Sequence, residues 1–246
     1  LGMSSLGQSR LVYEQELEKQ TVGRADAVIT VADEMTNYFS RYAKTGKPEC
    51  VTILNGYDPD DFGGNNLPTE TAQPTQDKIR FVFTGTLYDQ TESVFYPFLD
   101  ALQKLKTENP TDYKLLAFDF YGNYPAKYKK QVTEKGIDVI SFRGVIKLEE
   151  VYQQIKQADL AMLFLNDDFT FPFSTKFYEY LSQHKKIAVF SRPGAMPDFV
   201  KKHDLGYVIQ PGDVYEQLQT IIADYRSGQL KTWTSALDIS RYTVAY

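Results

Sequence analysis

From Lys78 onward, short apolar runs alternate with longer stretches in which apolar residues recur every three or four positions. A continuous apolar run bounded by polar residues reads as a buried strand, and the three-to-four spacing reads as an amphipathic helix. The runs predict strands over residues 79–84, 116–121, 139–142, 160–165, 187–190 and 207–209. Helices are predicted over 93–106, 126–135, 148–157, 175–183, 197–202 and 214–225; Leu148, Val151, Tyr152 and Ile155 show the spacing well. Strands joined by helical crossovers make a parallel sheet, so the expected fold class is α/β, a doubly wound Rossmann-like domain. Its crevice should open at the carboxyl ends of the first and fourth strands, at the loops beginning Gly85-Thr86 and Asn166-Asp167.

Ahead of this domain, residues 63–77 are polar and rich in Gly, Pro and Asn, which reads as a linker. The remaining piece predicts a helix over 11–22, a strand over 27–31, a helix over 34–43 and a strand over 51–54. Two β/α units are too few for an independent sheet. Residues 1–62 are therefore expected to be the tail of a larger domain that the chain lacks, or to pack on the main one. Residues 78–226 form the expected main domain, and 227–246 read as a crossover segment cut short.

The best candidate chemistry lies between the fourth and fifth strands, at Phe173-Ser174-Thr175-Lys176-Phe177-Tyr178-Glu179. Ser174 or Thr175 can cap the helix that follows, so backbone N–H groups, the positive end of the helix dipole and Lys176 converge on the loop mouth. Such a site suits a phosphate. Glu179 lies one turn later on the same face, placed to accept hydrogen bonds from a vicinal diol such as a ribose. The plain alternative is an exposed helix salt bridge between Lys176 and Glu179. For Gly85 it is a strand-ending turn.

Composition narrows the classes of function. The chain has 246 residues and a net charge of −5, which argues against a nucleic-acid groove or a basic membrane patch. No apolar stretch approaches the roughly 20 residues of a membrane span. A lone cysteine, Cys50, excludes an internal disulfide framework and a cysteine-rich metal site, in keeping with a cytoplasmic protein. Asp58-Pro59-Asp60 imitates a metal-binding aspartate pair, but a turn accounts for it. Asp167 and Asp168 suit solvated loop carboxylates better than donor ligands, and His184 and His203 suit surface or capping roles. No metal and no cofactor are expected.

Arg24-Ala25-Asp26-Ala27-Val28-Ile29-Thr30-Val31, followed by Val51-Thr52-Ile53-Leu54-Asn55-Gly56-Tyr57-Asp58-Pro59-Asp60-Asp61-Phe62, resembles the end of the N-terminal domain of retaining GT-B glycosyltransferases of the group 1 type. Phe83-Thr84-Gly85-Thr86-Leu87, Phe142-Arg143-Gly144-Val145 and the Lys176-to-Glu179 helix then follow in that family's order. The resemblance implies transfer of a sugar from a nucleotide-sugar to a glycan, lipid-linked or small acceptor, without metal. It places Glu179 on the ribose, Lys176 on the diphosphate, Gly85 and Thr86 beneath the phosphate, and Arg143, Gly144 and Val145 beside the base. It assigns no catalytic residue here. Peripheral membrane association would come through the missing domain.

The chain also departs from that pattern. The first of the family's two glutamates falls on Phe171, and the basic pair after the first strand is absent, since residues 86–93 carry no cation. Two other readings therefore stay open: a GT-B sugar-nucleotide epimerase or hydrolase, and a degenerate nucleotide-binding scaffold. With most of one domain missing, the chain alone is expected to bind nucleotide without turnover.

Overall fold

A computed structural model of the chain describes residues 7–43, 47–62, 78–165, 173–231 and 233–244. The expected linker over 63–77 lies outside the described residues, as do Asn166, Asp167, Asp168 and Phe171. The main sheet has six strands: β3 (Ile79–Thr84), β4 (Leu116–Tyr121), β5 (Ile140–Gly144), β6 (Leu160–Phe164), β7 (Lys186–Phe190) and β8 (Gly206–Ile209). All pairings are parallel, in the order β5-β4-β3-β6-β7-β8. Counted from β3, this is 3-2-1-4-5-6, the doubly wound order, whose switch point falls between β3 and β6.

The parallel strands are buried on both faces, which is why they read as continuous apolar runs. On one face, Phe81, Phe83, Phe118 and Phe120 pack against α3 (Glu92–Glu108), α5 (Ala126–Glu134) and α9 (Val214–Arg226). Aromatic rings interlock there: Phe81 stacks on Phe118 at 4.4 Å and Phe164 on Phe190 at 4.5 Å between centroids. Each fully buried phenylalanine contributes about 1.5–3 kcal/mol of transfer free energy. On the other face, Val82, Ala161, Leu163, Ile187 and Val189 meet α6 (Leu148–Gln157), α7 (Thr175–Ser182) and α8 (Ala195–Lys202).

The N-terminal piece holds α1 (Gln8–Arg24), β1 (Ala27–Thr30), α2 (Asp33–Ser40) and β2 (Glu49–Thr52). Its two strands pair in parallel from Ala27↔Glu49 to Thr30↔Thr52. The ladder thus begins two residues before the strand expected at 51–54, because backbone pairing to β1, not side-chain polarity, sets its start at the exposed Glu49. In the same way β5 runs on through Arg143 and Gly144 beyond the apolar run that announced it. A short helix that the pattern did not announce, α4 (Pro110–Lys114), is built by local signals: Asn109 caps it by accepting from the Asp112 N–H at 3.2 Å, and proline stands at its start.

The chain's last described residues return to the N-terminal piece. The Tyr57 N–H donates to the Tyr242 carbonyl and the Val244 N–H donates to the Tyr57 carbonyl, both at 2.9 Å. Gly56 permits this crossing, since a Cβ there would lie 2.3 Å from the Tyr242 carbonyl oxygen. Trp233, Leu237, Ile239 and Tyr242 lie on the α7–α8 side of the core.

Two features of the carboxyl edge can be tested on stability alone. Gly122 has φ +120°, and a Cβ there would sit 2.1 Å from the Gly85 carbonyl oxygen. Gly122→Ala should therefore destabilise by about 2 kcal/mol or more, through positive-φ strain plus the clash. The Tyr180 hydroxyl is fully buried, accepts from the Thr84 N–H at 3.2 Å and bonds the Thr84 hydroxyl at 3.1 Å. Tyr180→Phe should cost about 1–3 kcal/mol, because it leaves a buried N–H without that acceptor. The urea midpoint of each variant checks these values.

Candidate nucleotide site

The site begins where three neighbouring strands end. Gly85, Gly122 and Gly144, just past or at the ends of β3, β4 and β5, all have positive φ, at +98°, +120° and +75°. They are joined edge to edge: the Gly85 N–H donates to the Tyr121 carbonyl at 2.8 Å, and the Gly122 N–H to the Gly144 carbonyl at 2.7 Å. Glycine tolerates this conformation without a Cβ penalty, so the edge turns tightly and presents backbone in place of side chains. Sequence reasoning singled out Gly85 and Gly144 but missed Gly122; the signal was there, as a glycine directly after an apolar strand.

Helix α7 sits above this edge. Its Tyr180 hydroxyl bonds Thr84, the last residue of β3, and one turn earlier Lys176 reaches over Gly85. The lysine Cε lies 2.6 Å from where a Gly85 Cβ would be, so any side chain at 85 would displace it. Its ammonium lies 4.6 Å from the Phe83 ring centroid and donates to the Thr86 carbonyl at 3.4 Å. Lys176, Gly85 and Thr86 are thereby brought together. Neither Tyr180 nor Thr84 was singled out from sequence, because a tyrosine at helical spacing reads as ordinary core.

Ser174 takes the cap position of α7, with φ −67° and ψ 158°, yet its side chain makes no capping hydrogen bond. The expectation that Ser174 or Thr175 caps the helix is corrected accordingly. The first turn is closed instead by the backbone, the Phe177 N–H donating to the Ser174 carbonyl at 3.0 Å. The N-terminal N–H groups and the positive end of the helix dipole are left facing the loop mouth beside Lys176. Burial pushes the Lys176 ammonium down to about 8, and the negative charge of Glu179 partly offsets that shift.

Arg143 and Val145 flank the far end of the edge. Val145 is exposed, but the Arg143 side chain turns onto the sheet face, where its Nε donates to the buried Asp119 carboxylate at 2.8 Å. With Arg80, Asp119 and Ser141 it lines an open polar hollow of about 240 Å³. The Arg143 side chain is thereby directed away from the edge, at which Gly144 presents backbone. The loop after β3 is fixed from outside: Lys127 pairs with Asp89 at 2.7 Å and Glu92 at 2.6 Å, and the Tyr128 hydroxyl donates to the Tyr88 carbonyl at 3.0 Å.

The remaining candidates take up local roles. Asp58 accepts from the Asp60 N–H at 2.9 Å, an Asx turn opening the 3₁₀ turn Pro59–Phe62. His184 packs edge-on against Trp233, and His203 lies against Phe199. Among the described residues no group of three or more His, Cys, Asp or Glu gathers to hold a metal, and no helix is long and apolar enough to cross a membrane.

Solved structures share this architecture. HepE of Anabaena, in complex with UDP and glucose, superposes with a TM-score of 0.69 at 16% identity, covering 98% of this chain and 65% of that one. A TarM variant of S. aureus, in complex with fondaparinux, α-GlcNAc-glycerol and UDP, gives 0.63 at 13% identity over 89% of this chain and 41% of its own. WaaG, a glycosyltransferase of lipopolysaccharide biosynthesis, gives 0.63 at 12% identity, with 87% and 60% covered. The chain thus spans between about two fifths and two thirds of the length of these structures, and at such identities the likeness is one of fold. No curated protein matches it in sequence. The family model of glycosyl transferases group 1 matches residues 78–225, well over half of the sequence, and to that family the chain belongs.

Proposed function

We propose that the protein transfers a sugar from a nucleotide-sugar to an acceptor hydroxyl, with the donor diphosphate held between Lys176 and the glycine edge. One observation carries this reading: a half-buried ammonium beside a helix N-terminus, seated on a glycine that keeps side chains away. Breaking the anomeric C–O bond leaves charge on the nucleoside diphosphate, and a fixed cation with oriented N–H groups stabilises that charge. The acceptor oxygen forms the new bond, and its proton leaves with the diphosphate or to solvent. Glu179 takes the ribose hydroxyls, Gly85 and Thr86 lie under the phosphate, and Gly144 and Val145 lie beside the base. The reading is supported by the family and by the UDP bound in the HepE and TarM complexes.

The finer parts rest on the sequence resemblance: a retaining outcome, no metal, a glycan or lipid-linked acceptor, and a cytoplasmic location with peripheral membrane contact. So does the division into a donor domain over 78–226 and the tail of an acceptor domain over 1–62. A second reading, a scaffold that binds nucleotide without transfer, is favoured by Phe171 and by the missing basic pair after β3, where residues 86–93 carry no cation and the nearby Lys127 is engaged by Asp89 and Glu92. Turnover of a UDP-sugar by the full-length protein decides between the two.

Calorimetric titration of UDP, GDP and ADP tests the clamp. Glu179→Gln should lose about 1–3 kcal/mol of nucleotide binding, as for a charge-assisted hydrogen bond, with the fold intact. Lys176→Ala should weaken UDP binding and leave uridine binding nearly unchanged. A plain salt bridge would instead shift stability by a few tenths of a kcal/mol, at the low end of about 0–1, and leave affinity untouched.

The depressed Lys176 ammonium adds a pH dependence of definite sign. A diphosphate favours the protonated lysine, which predominates below about 8 and is lost as pH rises through that value. UDP affinity should therefore fall as pH rises through about 8, by at most about tenfold per unit. Uridine affinity should not follow it, and Lys176→Ala should abolish the slope.

A further inference from the structure

The turn that leaves the N-terminal piece reaches the chain just ahead of α7. The Asn55 side-chain amide donates to the Phe173 carbonyl at 3.2 Å, across 118 positions of sequence. Phe173 is the residue before the Ser174 cap of α7, and its ring is wedged against Phe177 and Phe199, each 5.1 Å away between centroids. The next residues of the turn make a second tie. Tyr57 exchanges backbone hydrogen bonds with the returning segment at Tyr242 and Val244, and the Tyr242 ring lies 5.3 Å from that of Tyr178 in α7. Asn55 thus holds the residue before the α7 cap, and Tyr57 reaches the first turn of α7 through Tyr242, so the two ties fall on either side of Lys176.

We propose that Asn55 is a positioning residue for the nucleotide site: its amide holds the Phe173 carbonyl and so sets the α7 N-terminus and Lys176 over Gly85. The inference rests on the nucleotide reading of that site and deepens it. An anion site built from helix N–H groups depends on where the first turn points, and a shift of the order of 1 Å there is enough to lose hydrogen bonds. The Ser174 side chain makes no capping bond, so the orientation of this turn is set from the neighbouring residue, by a donor carried on the other piece of the chain. Movement of the N-terminal piece about residues 55–57 is then transmitted to the diphosphate site through a hydrogen bond and a packed ring pair, which are contiguous physical contacts.

The test compares Asn55→Asp, which keeps the shape but removes the donor, with Asn55→Ala, on the full-length protein. UDP and uridine are titrated by calorimetry, and amide hydrogen exchange is followed across α7 and α8. Both variants should bind UDP about three- to tenfold more weakly while uridine affinity stays within about twofold, a coupling of the size expected between adjoining elements. Exchange should quicken at the start of α7 and stay unchanged in α8. UDP affinity equal to wild type in both variants overturns the proposal, even if exchange quickens. Equal losses for UDP and uridine also overturn it, since that pattern marks general disruption. Failure of the unaltered protein to bind UDP, GDP or ADP would sink the nucleotide reading itself, and this inference with it.

Discussion

The contact between the Tyr180 hydroxyl and Thr84 holds the site together, because it joins the end of the first strand to the helix that follows the fourth. These elements meet at the switch point of the sheet, where the helices on either side diverge and a crevice opens. With Tyr180 fixed in the core, Lys176 has little choice of position: one helical turn earlier, it must pass over the residue after Thr84. That residue is Gly85, and glycine is what lets the lysine stem lie down there. The neighbouring strands repeat the device with Gly122 and Gly144, so the floor beside the lysine is backbone along three strands.

This arrangement stores an electrostatic tension. Burying an ammonium is unfavourable, as its lowered proton affinity shows, and Glu179 offsets the effect only in part. The helix N-terminus beside it adds positive potential. A site with an under-compensated cation and outward-facing N–H groups is matched by an anion bearing several oxygens. The diphosphate of a nucleotide-sugar has that form, and its charge grows as the sugar leaves. Other charges are handled differently: Arg143 and Arg80 share the Asp119 carboxylate, Lys127 pairs with Asp89 and Glu92, and Lys185, also pushed down to about 8 by burial, is held by the Lys156 and Ala158 carbonyls.

The fold was largely legible because its strands are buried on both faces and its helices on one. Those two burial patterns write themselves into sequence as continuous runs and three-to-four spacing, and all six strands and their crossovers followed from them. Element ends were less legible. The starts of β2 and the end of β5 are set by backbone pairing to a neighbour, to which Glu49 and Arg143 contribute no apolar signal. At the site, Lys176, Gly85 and Thr86 were legible as residue types in a loop between strand and helix. Tyr180, Thr84 and Gly122 were not, because their roles are contacts between distant segments: Tyr180 reads as core until its hydroxyl is seen to face Thr84. Ser174 shows the converse, a good capping residue whose side chain the folded chain does not use as a cap.

The central claim is that Lys176, seated on Gly85, receives the diphosphate of a nucleotide. A crystal structure of the full-length protein grown with UDP measures this directly. The account predicts diphosphate oxygens within hydrogen-bonding distance, roughly 3 Å, of the Lys176 Nζ and of the first N–H groups of α7, with the ribose turned toward Glu179. UDP bound elsewhere, or bound in the crevice with its phosphates turned away from Lys176, would contradict it.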